Sequence, residues 1–205
     1  FSGVTFVGGR GNGGALAITA ATTVTVTGGA FNQNNAPLSG GAIYLSATGT
    51  LTIDGTSFTD NQARGDAANQ GGGAIYTNGG GLTVQNATFT NNRALGTSGS
   101  GGAILSPNGA SLNIQASTFT NNRSERAGGA IETVGGATMV TGGSFVGNTA
   151  GSNPGNGGAI HGGGTANVTV TDAAATGNRA SEGGAYWISA SGTLSLLGVT
   201  VTGNI

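Results

Sequence analysis

The 205-residue chain has no cysteine, no lysine and three prolines, and only 6% of its residues are charged; globular proteins usually carry about 25%. Without cysteine it can build neither a disulfide framework nor a thiolate metal site. Six arginines against seven acids, a formal net charge of −1, do not make the basic surface that phosphate neutralisation needs. Nucleic acid is therefore excluded as a partner. No apolar run reaches the ~18 residues of a spanning helix, so no membrane insertion is expected of this segment. Apolar spacing of helical period over three turns is also missing.

Glycine is abundant, with 44 residues, followed by 29 threonines and 20 asparagines. Such a polar, glycine-rich composition is compatible with disorder. The glycines have no three-residue period, which excludes collagen, and two motifs recur instead. Gly-Gly-Ala-Ile stands at 40–43, 72–75, 101–104, 128–131 and 157–160, with near copies at 13–16 and 183–186. Phe-x-x-Asn stands at 31–34, 58–61, 89–92, 119–122 and 145–148, with degenerate copies at 175–178 and 201–204. From the alanine of the first motif to the phenylalanine position of the second takes 15 or 16 steps every time. The return to the next alanine takes 9 to 16 steps. Fixed length implies backbone in register with a neighbouring repeat, and variable length belongs to solvent-facing loops.

Between the motifs lie short alternating segments such as Val24-Thr25-Val26, Leu51-Thr52-Ile53 and Val168-Thr169-Val170. Alternation with period two is a strand signal. Three short strands per repeat, none able to bury its apolar side alone, predict a stacked all-β solenoid. The expected fold is a right-handed parallel β-helix of about 7–8 coils, a single segment covering residues 1–205, rising ~4.8 Å per coil. With repeats running to both ends and no capping segment, it is expected to be part of a longer repeat protein.

Equivalent positions in such a stack form columns. Phe31, Phe58, Phe89, Phe119 and Phe145 predict a buried aromatic column. Asn34, Asn61, Asn92, Asn122, Asn148, Asn178 and Asn204 predict an amide ladder, since asparagine tolerates turns and stacked amides pair between coils. Leu51, Leu82, Leu112, Met139, Val168 and Leu194 are expected to face inward. Arg10, Arg93, Arg123 and Arg179 follow the ladder and predict a charged edge that discourages lateral pairing. The position after the motif isoleucine is expected to face outward. It holds Ala17, Tyr44, Tyr76, Leu105, Glu132, His161 and Trp187. An exposed row containing Tyr44, Tyr76, Glu132, His161 and Trp187 is a candidate binding surface for sugar rings or a partner chain.

The alternation of Gly-Gly-Ala-Ile with Phe-x-x-Asn resembles the repeats of the polymorphic outer membrane proteins, best known from chlamydial autotransporters. The resemblance covers nearly the whole chain, from Phe6 to Asn204. It implies a right-handed β-helical passenger exported to the bacterial cell surface, where it serves in adhesion or as a surface-variable structure. The motif residues then have largely structural roles. The chain departs from that pattern in lacking a C-terminal β-barrel with alternating lipid-facing residues, and the cysteines that chlamydial members often carry.

The expected function is a secreted or cell-surface structural or adhesive segment without catalysis, metal or cofactor. Its partner would be a cell-surface glycan or protein receptor, or a second copy joined end to end in a fibre or sheath. The variable loops at 62–71, 93–100 and 149–156 are the natural places for a ligand. Ice is the rival partner. Thr25, Thr52, Thr83 and Thr169 fall on outward positions of one strand, in an array interrupted by Asn113, Gln85 and Val140. Ser57, Thr59, Thr88, Thr90, Thr118, Thr120, Thr200 and Thr202 flank the phenylalanine column, interrupted by Val146 and Ala174. Flat, uncharged threonine arrays resemble the ice-binding faces of antifreeze β-solenoids. A polysaccharide-binding or -degrading enzyme is the other rival. Glycoside hydrolysis needs a carboxylate pair across a groove, and the seven acids are scattered. Glu132 with His161 is one possible acid–base pair, although one such contact is expected by chance on a surface.

Overall fold

A computed structural model describes residues 1–46, 48–151 and 154–205. Among them, 27 strands of at most five residues form four parallel sheets of 8, 7, 7 and 5 strands. Each strand inside a sheet pairs with its equivalents in the coils before and after, so this is a β-solenoid of about seven coils. The first face carries the isoleucine motif, from Leu16–Ile18 through Ile75–Thr77 and Ile131–Val134 to Tyr186–Ile188. The second face runs from Thr23–Thr27 to Thr193–Leu197, and the third from Thr5–Val7 to Thr200–Thr202. The fourth sheet is a narrow edge of two-residue strands, from Asn35–Ala36 to Thr149–Ala150. Sequence alternation predicts three strands per coil, because two residues are too few to display a period.

The paired glycines of the motif have separate jobs. Gly40, Gly72, Gly101, Gly128, Gly157 and Gly183 hold φ between 62° and 67°, a left-handed conformation that side chains disfavour. A Cβ on the second glycine would overlap backbone of the neighbouring coil: at Gly41 it meets the Gly73 carbonyl, and at Gly73 that of Gly102. The corner before each ladder asparagine is also left-handed. Gln33, Asp60, Asn91 and Asn121 have φ of 54–57°, and glycine fills the position at 147, 177 and 203.

Inside, Phe6, Phe31, Phe58, Phe89, Phe119 and Phe145 stack with centroids 4.6–4.9 Å apart and planes within 13°. That spacing is the strand repeat itself. Ala175 and Val201 continue the column. Beside it the asparagines form the ladder. Asn92 Nδ2 donates to Asn122 Oδ1 and to the Phe58 carbonyl, both at 3.0 Å. Its own Oδ1 accepts from the backbone and side-chain nitrogens of Asn61. The same pattern links Asn34 to Asn204 through every coil. Asn34, Asn61, Asn92, Asn122, Asn148 and Asn178 are fully buried, so each amide is satisfied where water cannot compete.

One inward assignment is overturned. Leu112 pairs with Thr138, and Thr138 with Val168. Thr138 is therefore buried, and Met139 faces outward at 55% exposure. Val140 accordingly faces inward, and Met139 is what interrupts the threonine array there. Apolarity favours Met139 for the core, but a one-residue shift turns a whole strand over. The constant five-residue step from Val26, Ile53, Val84, Ile114, Val140 and Val170 to the phenylalanine position fixes the parity. At the last coil Leu194 and Val201 are 38% and 46% exposed, with no coil stacked beyond them in the chain described.

Candidate functional site

Strand pairing aligns Ala17, Tyr44, Tyr76, Leu105, Glu132, His161 and Trp187 in one column on the outer side of the first face. The expectation of an exposed row fails in its middle. Leu105 and Glu132 are fully buried, and Tyr76 and His161 are each 6% exposed. Only Tyr44 and Trp187 remain half-buried at its flanks. The reason is that the variable loops fold back over this face. Arg126, in the loop before Ile131, donates from Nε to Ser100 Oγ at 2.8 Å and from Nη2 to the Ala68 carbonyl at 3.5 Å. It thereby ties together loops of three successive coils. Positions 152 and 153 of the 149–156 loop lie outside the described residues.

Glu132 is the centre of the covered patch. Arg126 binds its Oε1 through Nη2, and His161 Nδ1 lies 3.2 Å from the same oxygen. Nδ1 makes no hydrogen bond, and Glu132 Oε2 is buried with no partner at all. Unpaired buried polar atoms of this kind are rare and costly. The His161 ring stacks on Trp187 at 4.7 Å and 12°. Trp187 Nε1 in turn donates to Glu182 Oε2 at 3.0 Å, an oxygen that also accepts from Asn156 Nδ2 at 2.8 Å. Tyr44 and Tyr76 form a second stacked pair at 4.9 Å. Burial pushes the Tyr76 hydroxyl above its ordinary value, and Tyr44 adds to the shift.

A recess of about 320 Å³ opens over Glu132 and His161, walled by Ala68, Pro107, Val134 and Gly163 among others. The arginine and carboxylate charges offset each other, and the spare carboxylate oxygen can accept a hydrogen bond. Among the described residues no group of three or more acidic, histidine or cysteine side chains could hold a metal.

Sequence reasoning found Glu132 and His161 but missed Arg126, Glu182 and Asn156. Arg126 and Arg64 are the two arginines outside the edge column, and that exception is the one signal that marks Arg126. On the edge itself, Arg93 pairs in register with Arg123, while Thr149 separates Arg123 from Arg179. The threonine column Thr25, Thr52, Thr83 and Thr169 is in register but broken at its centre by Asn113 and Met139.

The model of the right handed beta helix region matches the chain over residues 1–205, its whole length. Neither the curated proteins nor the solved structures contain a match to it.

Proposed function

The chain belongs to the right-handed β-helix family, and from that premise we propose that it is a secreted or cell-surface structural and adhesive segment without catalysis. The observation that carries this reading is the continuous ladder and ring stack, running from Phe6 to Asn204 with the amides paired at every step. Such columns make a rod stiff along its axis, while length variation is confined to loops on one side. A stiff spacer presenting variable loops is what a surface stalk or adhesin needs. The polymorphic outer membrane protein likeness supports the same setting, at the bacterial surface.

The test is to coat beads with the chain and measure their retention on glycan- and cell-coated surfaces, while assaying polysaccharides for new reducing ends. Retention without cleavage is expected. Release of reducing ends would replace the reading with an enzymatic one.

A second reading rests on the third face. Ser57, Thr88 and Thr118 stand in register, as do Thr59, Thr90 and Thr120, giving a flat two-column hydroxyl array. Inhibition of ice recrystallisation that vanishes in Thr90→Tyr would favour ice over a cell surface as the partner.

A further inference from the structure

We propose that the recess over Glu132 and His161 is a binding site for one neutral sugar ring. The proposal names a ligand class for the adhesive reading and takes its biological setting from it. Four observations carry it. The recess, at about 320 Å³, falls at the small end of ligand sites, which run from about 300 Å³ upward. Its floor is a buried cluster in which the charges of Arg126 and Glu132 offset each other. An anion would meet the unpaired Glu132 Oε2 and a cation would meet Arg126, so a neutral ligand fits best. Glu132 Oε2, an acceptor, lacks a hydrogen-bond partner, so the ligand must bring a donor. The walls at Ala68, Pro107 and Val134 are apolar and suit the C–H face of a ring. A neutral ring with hydroxyl donors on one edge and an apolar face is a pyranose.

Gly163 makes the space. It stands beside Val134 in the stack, where a Cβ would meet His161 Cε1 at 3.2 Å and Val134 Cγ2 at 3.3 Å. Its backbone is outside the left-handed region, so the small residue serves the room above His161 rather than the turn. Oε2 is screened from bulk water. Entry of a hydroxyl therefore goes with a rotamer shift of Arg126, whose side chain is 22% exposed at the mouth; such side-chain changes are common on binding.

The chain has a single tryptophan, and it stacks on His161, so its fluorescence responds to changes at the His161 side of the recess, and the filled variant separates these from binding elsewhere near Trp187. We would titrate the whole chain with methyl glycosides of glucose, galactose, mannose and N-acetylglucosamine, with glucuronate and glucosamine as charged controls. A saturable Trp187 change with a neutral glycoside is expected. Gly163→Val should abolish it with the circular dichroism of the fold kept. Glu132→Gln, which retains shape but weakens the acceptor, should reduce affinity about tenfold or more. If Gly163→Val does not fold, Gly163→Ala gives the same test by partial filling. A silent Trp187 across the neutral panel, a response to the charged sugars only, or an unchanged response in the filled variant would each overturn the proposal. Beads that adhere while Trp187 stays silent would sink the recess and leave the adhesive reading. A Trp187 response without adhesion would do the reverse.

Discussion

The corner built by Phe89 and Asn92 and the outer column built by Glu132 and His161 obey opposite rules. At the corner the same asparagine recurs from Asn34 to Asn204, and its hydrogen-bonding atoms find partners in the coils above and below. In the outer column no two neighbours match except Tyr44 and Tyr76, and buried atoms go unpaired. Repetition lets one solution to hydrogen bonding be copied from coil to coil. A column that abandons repetition must be satisfied case by case, by loops, by cross-links such as Arg126, or by a ligand. The identical column is architecture, and the varied one is where chemistry can be placed.

The sharpest way to break that contrast is at the ladder. Asn92→Asp preserves shape but turns a donor toward the Phe58 carbonyl and Asn122 Oδ1 into a buried, unpaired charge. It should cost about 5 kcal/mol, measured by denaturant unfolding. Phe89→Ala should cost about 3–5 kcal/mol, because flanking rings fixed at the strand repeat cannot close the cavity. Wild-type stability in that variant would mean that the stacked column is not the core.

The contrast can also be sharpened by repair. Thr138 sits in an inward aliphatic column with its hydroxyl buried and unpartnered. Thr138→Val keeps the shape and should raise stability by about 1 kcal/mol. The smallest effect is one of pH. Burial pushes the Tyr186 hydroxyl up to about 12, whereas in the unfolded chain it ionises near 10. The unfolded state loses its proton first, so stability is full below pH 10 and falls as pH rises toward 12. Unfolding midpoints across that window should decline, and Tyr186→Phe should flatten the decline.

The repeat columns could be read from sequence because each is copied often enough to outvote exceptions. Phe31 to Phe145 and Asn34 to Asn204 fall where counting puts them. Met139 was misplaced because its apolarity was weighed above the five-residue step from Val140 to Phe145. The candidate site was half legible. Stacking arithmetic brings Glu132 beside His161, but their burial depends on how Arg126 and the loop around Ala68 fold over them. Loop paths follow no repeat, so no column count predicts them. Gly163 reads in sequence as one more glycine in a glycine-rich chain, and only the neighbouring His161 and Val134 side chains give it a purpose.

Native-state hydrogen exchange tests the contrast most directly. The backbone amides of Asn34, Asn61, Asn92, Asn122 and Asn148 each donate to the next ladder oxygen. They should exchange only through global unfolding, with nearly equal protection in all five coils. Exposed amides of the covering loop, such as those of Asp66 and Ala68, should exchange far faster. Ladder amides that exchange as fast as the loop, or that lose protection one coil at a time, would contradict the account of a single stiff rod.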